Sequence, residues 1–225
     1  MKKTGTTVFA MCYKDGIVIA GDRRMSDFHY HIDDYVKVEE TGNGALIAGA
    51  GVCALLQDLI QMLISWRERL EMLIEVPIYI DGQAELLKNI LKSQGKDYFF
   101  QLLGLGAIPI LAGFNPKTKT GMVFGFDDIG GIYERKDYVV IGSGQELAHT
   151  VLDDRWSPKM NLAEARELAI LALLRASRDN FTAPPNLAPA TVFSSSKEGV
   201  EQMQEAEALA LAKRLYETDS ERRAG

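Results

Sequence analysis

Cysteine is scarce: Cys12 and Cys53 are the only two in 225 residues. They lie far apart in apolar surroundings and form no Cys-x-x-Cys pair. That argues against a disulfide framework or a zinc site, and for a reducing compartment with both thiols in the core. No long apolar segment follows Lys2 and Lys3, so no export leader is expected and the chain reads as cytoplasmic. Nor is any run long enough to span a bilayer, because the most apolar region, residues 52–66, is interrupted by Gln57, Asp58 and Gln61. Basic residues are outnumbered, 25 against 31 acidic, for a net charge of −6. Such a surface is unsuited to nonspecific binding of nucleic acid or anionic membrane. Histidines number three. Two of them, His29 and His31, sit with Asp33 and Asp34, but the spacing fits no metal motif, and a solvated loop or subunit contact is expected there. Internal repeats and low-complexity tracts are also missing.

What is present is enough apolar material, 47% of residues, for one substantial core and hence one domain. Residues 6–24, TTVFAMCYKDGIVIAGDRR, organise the reading. Two β-branched and apolar runs, 6–13 and 17–20, flank a Lys14-Asp15-Gly16 turn, the pattern of a β-hairpin. The hairpin is expected to bring Thr6 near Asp22. A threonine at a chain terminus can act as a nucleophile whose base is its own α-amine. That requires removal of residues 1–5, and Gly5 would leave its own carbonyl open to attack. On these residues alone, the plain start of a strand is the favoured reading of the same stretch.

Further along, residues 35–40 and 45–48 read as a second hairpin around an Asn43-Gly44 turn. Residues 52–74 read as a helix apolar on more than one face and so buried on two sides, returning to solvent at Arg67. Residues 81–103 read as a second helix broken near Gly95. Four strands follow as a meander, at 108–115, 121–127, 131–134 and 138–141. A short helix spans 145–153, and Asn161 with Glu164 opens a capped helix to about Arg178. Residues 183–189 hold three of the seven prolines and form a loop. A last strand at 190–194, a helix at 203–216 and a frayed tail complete the chain. This order of strands and helices suits two sheets packed face to face between two helical layers.

The stretch TTVFAMCYKDGIVIAGDRR closely resembles the start of a mature proteasome β-subunit, a member of the N-terminal-nucleophile hydrolases. Lys37 in DDYVKV, Gly49 in LIAGAG, Ser143 in IGSGQ, and Asp179 with Thr182 in SRDNFT follow in that family's order and approximate spacing. The likeness therefore spans nearly the whole chain. It implies an α+β, four-layer αββα sandwich, with residues 1–5 a short propeptide cut between Gly5 and Thr6 and residues 6–225 a single peptidase domain.

The resemblance further implies peptide-bond hydrolysis by Thr6, with no cofactor and no metal. Asp22 and Lys37 would tune the amine, because a cation beside it favours its neutral, basic form. The Gly49 backbone N–H would stabilise the oxyanion, although AGAG also reads as a tight turn between strand and helix. Ser143, Asp179 and Thr182 would surround the amine, with Thr182 standing where the family usually has serine. Met25, Ile47 and Gly51 fall at pocket positions and suggest an apolar specificity, but the segments flanking Lys37 are shorter than usual. The implied partners are copies of the chain in stacked seven-membered rings, with α-type subunits and an ATPase unfoldase also in view. The presegment MKKTG is shorter than the family's common propeptides. A catalytically silent ring scaffold is the alternative, and a small-molecule amidase of the same superfamily is a third reading.

Overall fold

The computed structural model describes residues 5–26, 31–94, 106–127, 129–179 and 181–224. Strands β1 (Thr7–Tyr13) and β2 (Gly16–Gly21) form the expected hairpin. Successive side chains of β1 go to different cores. Val8 and Ala10 join one cluster with Leu46, Ala48 and Ile110, whereas Phe9, Met11 and Tyr13 join another with Leu168 and Leu173. A strand buried on both faces needs apolar residues at odd and even positions alike, which explains the unbroken TVFAM run.

Two antiparallel five-stranded sheets result. The first has the order β10-β1-β2-β11-β12, with β10 at Tyr138–Gly142, β11 at Thr191–Ser196 and β12 at Gly199–Gln202. The second runs β5-β6-β7-β8-β9, through Val38–Gly42, Ala45–Gly51, Ala107–Asn115, Thr120–Phe126 and Ile132–Arg135. A two-stranded ribbon of β3 (Met25–Ser26) and β4 (His31–Ile32) stands apart. Helices α1 (Cys53–Ile74) and α2 (Ile80–Gln94) share a core with the second sheet. Helices α3 (Gln145–Arg155), α4 (Leu162–Ala176) and α5 (Glu205–Ala224) share one with the first. Three stacked cores, one between the sheets and one under each helical layer, make this the four-layer αββα sandwich.

Several sequence expectations are corrected. The meander stops at β9, and β10 crosses to the first sheet to pair with β1. Strand β12 was absent from the sequence reading, and α5 runs through what was expected to be a frayed tail. Helix α1 is buried along one stripe through Leu56, Leu59, Ile60 and Leu63, while Leu55 and Trp66 are 39% and 42% exposed. Arg67, expected in solvent, is buried, and it donates to Glu71 at 2.7 Å. The expected second half of the second helix, with Gly95, lies outside the described residues, as does His29. The capping box at Asn161 and Glu164 is present as expected.

Candidate active site

The start of β1 is where the first sheet's chain ends converge. Both neighbours of β1 are antiparallel to it, so β2 and β10 finish beside its first residues. Gly142 pairs with Thr7 and has φ +113, open only to glycine at little cost. A Cβ on Gly142 would overlap the Thr6 carbonyl oxygen. That close approach lets Ser143 donate its backbone N–H to the Thr6 carbonyl at 2.8 Å, with its hydroxyl 3.4 Å from the same oxygen. Thr6 itself is half-buried. Gly5 before it is buried, and a Cβ there would overlap the carbonyl oxygen of Phe181.

The register sets Thr7, not Thr6, opposite Asp22, correcting the sequence expectation. Asp22 donates its backbone N–H to the Thr7 carbonyl at 3.1 Å. Its carboxylate is a hub. Oδ1 accepts from the Thr7 N–H and from Lys37 Nζ, each at 2.7 Å, and Oδ2 accepts from the N–H of Arg24 at 2.8 Å and of Ala183 at 3.1 Å. Asp22 is 1% exposed and Lys37 is 5% exposed. Lys37 therefore does not project from a strand face into solvent; it precedes β5 in the second sheet and reaches across to the first. Burial pushes its ammonium below the usual lysine range, and the Asp22 charge pulls the other way.

Thr182 stands on the α4–β11 loop, which Ala183 ties to Asp22. Its backbone N–H closes a turn on the Asp179 carbonyl at 3.1 Å, and its hydroxyl lies 2.8 Å from that of Thr7. Asp179 Oδ2 is buried and has no hydrogen-bond partner among the described residues. A buried carboxylate oxygen left in that condition is costly unless a donor reaches it. Thus Thr6, Asp22, Lys37, Ser143, Asp179 and Thr182 are brought together from both sheets and one loop.

The glycines and pocket residues fare differently. Gly49 lies inside β6, opposite Pro109, rather than at the turn after it. Pairing of β5 with β6 begins at Val38 and Ala48, so from Gly49 onward the β5 side of β6 has no strand neighbour among the described residues. Cys53, first residue of α1, is within electrostatic reach of Lys37, which links the end of β6 to the site. Gly51 is exposed at φ +123. Met25 is half-buried in β3, but Ile47 is fully buried in the core with α1 and α2 and presents no pocket surface. Arg24 holds Asp33 through two bonds of 2.7 Å, so Asp33 is committed to an ion pair. Among the described residues, no three His, Cys, Asp or Glu side chains converge as metal ligands.

Sequence reasoning missed Thr7, Gly144 and the Arg24–Asp33 pair. Thr7 is wholly buried, and its hydroxyl accepts the Gly144 N–H at 3.1 Å. The available signal was the Thr6-Thr7 doublet: adjacent strand residues face opposite ways, so the two hydroxyls serve different faces and need separate accounts.

The family profile described as "Proteasome subunit" matches residues 2–187. The chain belongs to the proteasome subunit family. It is 31% identical over 218 residues to a proteasome subunit beta of Stackebrandtia nassauensis, covering 93% of this chain and 77% of the relative. It is 32% identical over 188 residues to a proteasome subunit beta of Jonesia denitrificans, covering 81% of this chain and 60% of that one. A proteasome subunit beta 1 of Streptomyces avermitilis is 29% identical over 221 residues, covering 95% and 77%. Membership of the proteasome family makes peptide hydrolysis within an assembly of subunits the class of activity to which this site belongs. No described helix is long and apolar enough to cross a membrane.

Proposed function

We propose that the chain is a threonine endopeptidase of the proteasome β type, with Thr6 as N-terminal nucleophile once residues 1–5 are removed by its own chemistry. The observation that carries this reading is the buried Lys37–Asp22 pair at the start of β1, 2.7 Å apart, beside a Thr6 carbonyl fixed by Ser143. Two desolvated charges are expensive to hold in a fold without a use for them. In the reaction, the Thr6 hydroxyl attacks the substrate carbonyl and passes its proton to the Thr6 amine, and the Lys37 charge keeps that amine in its basic form beforehand. The acyl-enzyme forms as the leaving amine departs, and water then releases the second product. The unpaired edge of β6 from Gly49 supports docking of an extended peptide by strand addition, with backbone N–H groups available to the oxyanion. Met25 and Gly51 remain in the proposed pocket, with Ile47 shaping it only from behind.

The assembly proposed is one of stacked seven-membered rings in the cytoplasm, enclosing the threonines. Acting with α-type subunits and an ATPase unfoldase is the extended form of the proposal. One observation favours the alternative, a silent ring scaffold: Gly5 is buried against Phe181 as a well-accommodated part of the uncut chain. Turnover of fluorogenic peptides separates the two. The protease reading expects hydrolysis by the wild type and none by Thr6→Ala or by an assembled Lys37→Ala particle; wild-type turnover retained in either variant contradicts it.

A further inference from the structure

Thr6 stands at the start of β1, and Lys14 follows its last residue. The seven residues between them rise about 23 Å, so the β1–β2 turn lies at the opposite pole of the sheet from the candidate active site. Three other hairpin turns gather there: β5–β6 at Asn43-Gly44, β7–β8 at residues 116–119 and β11–β12 at residues 197–198. Residues of all four turns line one cavity of about 540 Å³, a size that suits a small organic ligand. Its frame is fixed from within. The wholly buried Ser195 hydroxyl donates to the Gly44 carbonyl at 2.6 Å and accepts the Phe114 N–H at 3.1 Å, which ties β11 of the first sheet to the second. A Cβ on Gly16 would overlap the Ser195 carbonyl oxygen, and one on Gly121 the Gly16 carbonyl oxygen, so the turns also meet backbone to backbone. Phe114 follows Ile110 and Ala112 on the inter-sheet face of β7 and, half-buried, closes that core against the cavity.

The lining is cationic in a chain whose net charge is −6. Lys14, Lys119 and Lys197 contribute to it, and Asp15 is the one carboxylate among the described lining residues. Lys14 and Lys119 have no ion-pair partner among the described residues. Lys197 reaches its chain neighbour Glu198 at 3.5 Å, with both side chains largely exposed. Lys119 also holds φ +58, a left-handed conformation that glycine adopts at less cost, so a lysine stands there against local preference. We propose that this cavity binds a small polyanion, a molecule with two or more phosphate or carboxylate groups, which Lys14, Lys119 and Lys197 grip from three turns and both sheets. Phe114 supplies an apolar floor on which the charge attraction is less screened. Asp15 opposes binding and so favours ligands of higher charge. No residue of the cavity belongs to the candidate active site, and the inference stands apart from the protease reading.

The test titrates the protein with inorganic tripolyphosphate and, separately, with citrate, at fixed ionic strength. Calorimetry follows binding, and peptide mass mapping after brief acetylation follows the protection of individual lysines. The expected result is saturable binding of one anion per chain, protecting Lys14, Lys119 and Lys197 but not Lys213 on α5. Tighter binding of tripolyphosphate assigns phosphate groups to the ligand, and tighter binding of citrate assigns carboxylates. Each of Lys14→Gln, Lys119→Gln and Lys197→Gln should weaken binding about two- to fivefold, the scale of an exposed charge pair, and the triple variant should not saturate. Asp15→Asn should tighten binding by a similar factor. Lys119→Gly should weaken binding without lowering Tm, because glycine accepts that φ and the charge alone is lost. The inference is overturned if neither anion saturates, if Lys213→Gln weakens binding as much as the cavity variants do, or if Asp15→Asn binds more weakly than wild type.

Discussion

Replacing Asp22 with asparagine removes one charge and almost no volume, so its effect isolates what the carboxylate does. Four donors converge on it: Lys37 Nζ and the Thr7 N–H on one oxygen, and the Arg24 and Ala183 N–H groups on the other. An asparagine has one acceptor oxygen. Turned to serve Lys37 and Thr7, it presents its NH2 to two buried N–H groups, each left unsatisfied at about 1–3 kcal/mol. Lys37 also loses its counter-charge. Its ammonium is already disfavoured by burial, so without Asp22 it sheds its proton more readily still. Breaking one side of a buried pair costs about 3–5 kcal/mol. We therefore expect Asp22→Asn to lower unfolding stability by about 4 kcal/mol in urea titrations at fixed protein concentration, which matters for an assembling protein. Peptidase activity should vanish with it. Adding Lys37→Met should recover part of the stability and none of the activity, because an apolar side chain leaves no buried charge to compensate. A stability within about 1 kcal/mol of wild type in Asp22→Asn, or activity regained in the double variant, would refute the reasoning.

Other consequences follow from single contacts. Gly5→Ala should leave residues 1–5 attached or greatly slow their removal, since its Cβ would overlap the Phe181 carbonyl; intact-mass time courses read this directly. Arg24 holds the Asp33 carboxyl below its ordinary pKa of 3.8, chiefly through their hydrogen bond. A depressed carboxylate contributes stability that is present above 3.8 and lost as pH falls through the folded value. Urea midpoints of wild type and Asp33→Asn should thus differ by a constant amount above about pH 5 and converge below 3.8; a gap that widens on acidification would be the wrong sign. Burial pushes the Cys12 thiol up to about 11. Its thiolate fraction at pH 8 is then about a hundredfold below that of an unperturbed thiol, and alkylation in the native protein should be correspondingly slow, becoming fast in urea.

Local pattern carried most of the fold. The Lys14-Asp15-Gly16 and Asn43-Gly44 turns, the Asn161–Glu164 capping box and the apolar runs are decided by residues adjacent in sequence, and they were legible as such. What failed depended on distant partners. The choice of β10 between continuing the second sheet and crossing to β1 turns on which edge is free, and no residue of 138–142 encodes that by itself. Arg67 reads as a solvent residue until Glu71, Glu68 and the β5–β6 turn are seen to enclose it. For the site, Asp22 and Lys37 were found through their spacing in a recognisable family, not through burial or pairing. Thr7 was overlooked because the doublet invites attention to its first member, and only the strand register shows which hydroxyl faces inward. Ile47 was assigned to a pocket by position, yet alternation along β6 sends it under the helices while Leu46 and Ala48 face the other sheet.

The most direct test of the central claim is the intact mass of the purified assembly, measured beside that of Thr6→Ala. The account predicts that the wild type has lost MKKTG and begins at Thr6, while the variant has lost at most Met1. Wild-type protein that retains MKKTG in assembled particles would lack the amine the mechanism requires, and would contradict it in favour of the silent scaffold.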